Sequence, residues 1–281
     1  MLLPFNRCPK LRATLFLPSS ILARYAFIGL SLLTPLAHAA TPTAAFTEAQ
    51  QEEIGQIAAM YLAQHPEYLT AAQETLRQNL VTAQSQKIAS AVSENANLLL
   101  TDSSPSLGAK DSAVAMVVFS DYLSSDSQKL DAIIENFRKQ HSDVRVIYKE
   151  FPITTGRWPV SGEAAMAAQQ VWHESGAKTF NAVRKSLFAI PHGEVKLTEA
   201  DIANVLQKAH IPELKPGKEI LALRAEINAN LKLGQDMGMT TAPVVIVMPQ
   251  KSISGDQVSV FNRVPSNEQL VQAVKIADVK R

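Results

Sequence analysis

Seven apolar residues in a row, Ala113–Phe119 (AVAMVVF), do most to limit what this chain can become. The run is too short for a buried helix and too uniformly apolar for a strand with one wet face. It is expected to be a strand buried on both sides, in a sheet with helices packed on each face. Residues 127–141 follow at helical spacing, with Leu130, Ile133, Ile134 and Phe137 on one face, and Val144–Tyr148 (VRVIY) supplies a second strand. Strand, helix and strand in this order begin an α/β fold.

The rest of the chain extends that pattern. Glu163–Glu174 and Ala177–Ala189 are expected helices, and Thr198–Ala209 another, opened by Thr198 with Asp201 at the third helical position. Ile220–Met237 reads as a longer helix closed by Gly238. Val244–Val247 is a strand after Pro243, Ser254-Gly255-Asp256 turns into VSVF as a hairpin, and Ser266–Ala277 closes as a helix with Ser266 and Gln269 as its capping box. A mixed sheet covered by helices is the expected architecture, with a helical block at about 161–237. No internal repeat or low-complexity tract interrupts it.

Two helices are expected before this domain. Thr47 and Gln50 have capping-box spacing, and Ile54, Ile57, Ala58, Tyr61 and Leu62 recur at helical period. His65-Pro66 interrupts them, because proline disfavours helical geometry in the residue before it. A second helix is expected from about Glu67 to Asn97, with Leu69, Ala72, Leu76, Leu80, Ala83, Ile88 and Val92 as a narrow apolar stripe. Such a stripe suits a helix-to-helix seam, which makes Leu69, Leu76, Leu80, Ile88 and Val92 candidate interface residues. The alternative is packing of this helix on its own domain. Residues 101–112 (TDSSPSLGAKDS) read as a linker or turn. The expected division is therefore a signal peptide at 1–39, a helical oligomerisation or docking region with its linker at 40–105, and the α/β domain at 106–281.

The first 39 residues carry Arg7, Lys10, Arg12 and Arg24, no acid, an apolar run YAFIGLSLLTPLA and a small-x-small site at Ala37-His38-Ala39. This is the pattern of a cleavable secretory signal. A permanent anchor is the alternative, but the apolar run is short for a bilayer. Removing the leader takes four of the 27 Lys and Arg and none of the 26 Asp and Glu. The remainder is weakly acidic, which argues against nucleic acid and anionic lipid as partners. The single cysteine, Cys8, lies in the leader, so the rest of the chain has no thiol for disulfide exchange, covalent catalysis or metal ligation.

Between the first strand and its helix stands Asp121-Tyr122-Leu123-Ser124-Ser125-Asp126-Ser127. A strand, a tight turn and a helix start are where thioredoxin-class enzymes carry Cys-x-x-Cys, and here Ser124 and Ser127 hold that spacing. As a helix start, Ser-Ser-Asp-Ser is well suited, giving oxygen acceptors for free N–H groups and a carboxylate at the positive end of the dipole. A hydrolase serine would need a general base and oxyanion donors. His65, His141, His173, His192 and His210 sit in no recognisable motif, and no Gly-x-Ser-x-Gly elbow occurs. No His pair has metal-ligand spacing, so no metal or other cofactor is expected. Trp158, in GRWPVSG, is a loop aromatic that serves either as an interface anchor or in closing the core.

Several stretches in order, FTEAQQEEIGQIAAMYLAQHPEYL, FSDYLSSDSQKL, VRVIYKEFPITTGRWPVSGEAAMAA and LGQDMGMTTAPVVIV, are similar to the DsbA-like exported thiol oxidoreductases. The resemblance is closest to the ScsC-like branch with an N-terminal oligomerisation helix, and it spans residues 46–281. It implies a thioredoxin-like fold with a helical insertion and an N-terminal helical extension. It places Asp121-Tyr122 before the redox site, Ser124 on the nucleophilic cysteine and Ser127 on the resolving cysteine. Pro243, preceded by Ala242, falls on the cis-proline that flanks a peptide-binding groove, and Lys149-Glu150-Phe151-Pro152 on the segment after the second strand. An acid near Glu150 assists proton transfer in redox-active relatives; here a structural role is expected for it. The departure at both sulfur positions is total.

The expected function is therefore non-catalytic. The chain reads as an exported, periplasmic protein acting by protein–protein binding, as a structural or assembly subunit of an envelope complex such as a secretion or conjugation apparatus. Its partners would be other envelope proteins or further copies of itself through the N-terminal helices. A redox-independent chaperone that holds exported polypeptides is one rival, and a thiol-independent enzyme at the vacated site another. The groove beside Ala242 and Pro243 stands open as either a peptide site or plain architecture.

Overall fold

The computed structural model describes residues 46–101, 103–191, 197–212 and 217–278. The expected signal peptide, with Cys8, and His192 lie outside these residues. The chain divides into two compact units, Met1–Met60 and Tyr61–Arg281. The first is described from Phe46 and contains most of α1 (Glu48–Gln64), no residue of which is buried. The expected capping box is formed: Gln50 N donates to Thr47 Oγ1 at 3.3 Å, and Thr47 N to Gln50 Oε1 at 2.9 Å.

In the second unit, α2 (Pro66–Val92) starts with its proline in the first turn, where the missing N–H costs nothing. It ends earlier than expected, and a separate turn, α3 (Ala96–Leu99), follows. The stripe on α2 does not act as one surface. Leu69, Leu76 and Leu80 are 53%, 60% and 63% exposed, whereas Ile88 and Val92 are fully buried. Ile88 and Val92 are thus corrected from candidate interface residues to core residues: they pack with Leu99, Phe119 and Ile246 on one face of the sheet.

The sheet has five strands in the order β1-β3-β2-β4-β5. β2 (Val114–Ser120) lies at its centre, parallel to β3 (Val144–Glu150) and antiparallel to β4 (Val244–Pro249). β5 (Ser259–Phe261) pairs with β4 through the expected hairpin. The supposed linker is corrected here, because it contains β1 (Ser106–Leu107), antiparallel to β3 with Ser106 opposite Ile147.

Both faces of β2 are covered, as its continuous apolar run requires. Met116 and Val118 point to the same side as Val146, Tyr148 and Val245 and meet α4 (Ser125–Gln140), α5 (Pro159–Phe188), α6 (Glu199–Lys208) and α8 (Asn267–Ala277). Val117 and Phe119 point to the other side, toward the end of α2 and toward Leu233 of α7 (Lys218–Asp236). Helices α5–α7 form the insertion between β3 and β4. The two helices expected at 163–189 are one element broken at Gly176, whose φ of 68° is left-handed and closed to most side chains. The capping boxes at Thr198/Asp201 and Ser266/Gln269 are both formed.

A buried charge cluster joins α4 to α5. The Arg184 guanidinium pairs with Asp131 and with Glu135, the latter at 3.0 Å, and lies 4.4 Å from the centre of the Tyr148 ring. Burial pulls its pKa down to about 10.

Candidate functional site

β2 delivers the chain at Ser120 to a buried turn, Asp121-Tyr122, and α4 begins within five residues. Ser124 is the N-cap of α4, with extended backbone (φ −88°, ψ 118°), and its Oγ accepts from Ser127 N at 3.2 Å. This is the geometry that its residue type favours at a helix start. The same hydroxyl donates to the Ala242 carbonyl at 3.0 Å. Ser127 is buried, and its Oγ accepts from Asp121 N at 3.3 Å. Asp126, between the serines, is exposed and pairs with Lys129 at 2.8 Å. The Ala242–Pro243 bond is cis. The structure therefore brings Ser124, Ser127, Ala242 and Pro243 together where β2 ends and β4 begins.

Asp121 holds the base of this arrangement and is 1% exposed. Its Oδ1 accepts from Leu123 N at 2.9 Å and Ser161 Oγ at 2.7 Å; its Oδ2 accepts from Thr154 N at 3.0 Å and Thr154 Oγ1 at 2.7 Å. Four donors to one carboxylate tie the end of β2, the loop after β3 and the start of α5 into one unit. Thr154 and Ser161 are site residues that sequence reasoning missed, since nothing local marks a hydroxyl 33 or 40 positions away as a partner.

Below the turn, Tyr122 Oη donates to Glu150 Oε1 at 3.1 Å, and both groups are buried. Burial pushes the Glu150 carboxyl up to about 8; the Tyr122 hydrogen bond pulls it down in part, and the charge of Asp121 adds to the rise. At neutral pH it is a neutral acid. Burial likewise raises the Tyr122 phenol well above its ordinary range, so it stays protonated.

The chemistry open to these groups is narrow. Among the described residues no histidine is hydrogen-bonded to Ser124 or Ser127: His65 meets Glu67, and His173 meets Gln169 and Glu226. Both serine hydroxyls are committed to main-chain groups. No group of three His, Cys, Asp or Glu side chains among the described residues is arranged to hold a metal. Trp158 is half-buried at the N-cap of α5, with the Arg157 guanidinium 5.2 Å from its ring centre. Leu69, Leu76 and Leu80 are elsewhere, on α2.

No protein-family model and no curated protein matches the chain; solved structures do. It is similar to BcfH of Salmonella enterica Typhimurium, at 33% identity over 82% of this chain and 96% of BcfH, with a TM-score of 0.63. ScsC of Proteus mirabilis, in a transitional conformation, is 25% identical over 84% of this chain and 99% of its own, with a TM-score of 0.56. The chain belongs to the DsbA/ScsC-like thioredoxin-fold family. A periplasmic thioredoxin-like protein from Salmonella enterica serovar Typhimurium shares 25% identity over 64% of this chain and 92% of that one, with a TM-score of 0.53. As a DsbA/ScsC-like chain it has the sheet order, the insertion α5–α7 and the cis-proline turn facing a helix start, with a single cysteine in the whole sequence. Among the described residues no helix is long and apolar enough to cross a membrane.

Proposed function

We propose that this chain is a redox-inactive DsbA/ScsC-like protein of the periplasm that works by binding other proteins, as a structural or assembly subunit of an envelope complex. Secretion and conjugation machineries are the class of host that fits. One observation carries the reading: Ser124 and Ser127, at the two positions assigned to the redox cysteines, use their hydroxyls to cap α4, to hold the Ala242 carbonyl and to accept from Asp121 N. A hydroxyl at a helix N-terminus is not appreciably ionised, and no disulfide can close there. The periplasmic location is supported by the leader pattern at 1–39 and by the periplasmic Salmonella protein among the similar structures.

Leu69, Leu76 and Leu80, spaced by seven and four positions and more than half exposed, supply the binding surface in this reading. Self-association through α2 is its simplest use. Solution mass decides it: Leu76→Asp together with Leu80→Asp reduces an oligomer to a monomer, and a wild type already monomeric excludes self-association.

The exposed apolar side chains Tyr68, Leu69, Leu76 and Leu80 also favour a second reading, a redox-independent holder of exported polypeptides. Crosslinking in intact envelopes followed by capture separates the two. A few stoichiometric partners mean a complex subunit, and a broad range of clients means a chaperone. Insulin reduction above background by the purified protein would overturn both.

A further inference from the structure

The face of the sheet opposite Glu150 carries a second buried ionisable group. Lys149 projects from β3 toward the side of Ile147 and Phe151 and is 1% exposed. Its Nζ donates to the Leu98 carbonyl at 2.6 Å and to Ser104 Oγ at 2.7 Å. Both acceptors are neutral, and among the described residues no carboxylate pairs with it. A buried ammonium without an anion is poorly compensated, and burial pulls the pKa of this one down to about 8. An ammonium has three N–H donors, and a cavity of about 390 Å³ lies against it.

Residues of α7 line the same cavity. There the Glu226 carboxylate is fixed from α5: its Oε2 accepts from Gln169 Nε2 at 2.7 Å and lies 2.9 Å from His173 Nε2. Asn230, one turn further along α7, lines the same cavity. Lys232 and Asp236 at its rim neutralise each other at 2.8 Å. Among the described residues, the charged side chains left to meet a ligand are Lys149, held by two neutral acceptors, and Glu226, held by Gln169 and His173. A ligand of a single sign would be attracted by one and repelled by the other. The volume lies within the range of small-molecule sites, roughly 300–1,000 Å³.

We propose that this cavity binds a small amphoteric ligand, a free amino acid or short peptide, with its carboxylate on Lys149 Nζ and its amine on Glu226. The site is separate from the Ser124/Ser127 turn and needs no redox chemistry.

Calorimetric titration of the purified protein with glycine, L-alanine and glycylglycine tests it, together with the C-terminal amide and the N-acetyl derivative of glycylglycine. Saturable binding of at least one free ligand is expected. Amidation of glycylglycine weakens its binding to the wild type about tenfold, the scale of one charge-assisted hydrogen bond, and makes no difference in Lys149→Met. Acetylation weakens it about as much and makes no difference in Glu226→Gln, so each variant is coupled to one end of the ligand. Asn230→Trp obstructs the cavity without touching either charge and weakens binding of every free ligand, which keeps the test open should Lys149→Met fail to fold. The proposal is overturned if no free ligand binds saturably, if both blocked derivatives bind as tightly as glycylglycine, or if Asn230→Trp binds like the wild type.

Discussion

Ser124 Oγ donates to the Ala242 carbonyl at 3.0 Å, across 118 positions of sequence, and so joins the start of α4 to the turn that leads into β4. The resemblance to the thiol oxidoreductases implies a reactive sulfur and a peptide for the two sides of that gap. Here they hold each other. The carbonyl keeps a second lone pair beyond this bond.

Ser124→Ala removes both the helix cap and the bridge. Loss of an N-cap costs about 1 kcal/mol and a stranded carbonyl about as much again, so a loss of about 2 kcal/mol is expected. Urea denaturation with an unchanged slope checks it.

The double variant Ser124→Cys/Ser127→Cys asks whether the scaffold still supports the lost chemistry. The helix N-terminus favours a thiolate at the first position, while the Asp126 charge opposes it. Measurable insulin reduction is expected, with a wild-type background of zero. If the variant forms no intramolecular disulfide, the two positions do not form a redox pair.

Glu150 makes stability fall with pH. Its carboxyl titrates near 4.5 in the unfolded chain and at about 8 in the fold, so between these values only the folded protein holds the proton. The contribution is complete below pH 4.5 and is lost as pH rises through 8, with a slope of up to about 1.4 kcal/mol per pH unit. Glu150→Gln removes this slope, so the variant gains on the wild type by about 2 kcal/mol or more between pH 5 and 7.5. Staying below 8 keeps the measurement clear of Lys149, which is shifted in the opposite sense. A difference between the two proteins that does not change with pH would refute the assignment.

Gly234→Ala sets two effects of known size against each other. Alanine improves an exposed helix by about 1 kcal/mol over glycine. A methyl group here would lie 2.5 Å from Phe151 Cε2, on a fully buried ring packed edge-on against Phe119. Overpacking of that kind costs about 1–3 kcal/mol, so the variant is expected to lose stability, read as a lowered thermal midpoint.

Local chemistry made much of this fold legible in the sequence. The capping pairs Thr198/Asp201 and Ser266/Gln269, the break at Gly176 and the central run Val114–Phe119 announce themselves within a few residues. β1 did not, because two residues become a strand only through their partner Ile147 and its neighbour. Periodicity could not separate Ile88 and Val92 from Leu69 and Leu80, since the spacing is the same and only the sheet beneath the end of α2 distinguishes them. At the site, Ser124 as a cap was readable from its residue type. Its bond to Ala242, and the four donors on Asp121, depend on chain segments that only folding brings together.

A chain with one cysteine can close no disulfide within itself. A Cys-x-x-Cys pair exists in two covalent forms, dithiol and disulfide. This domain has one form only. The surface beside Ser124 and Pro243 is therefore the same whatever the thiol–disulfide poise around it.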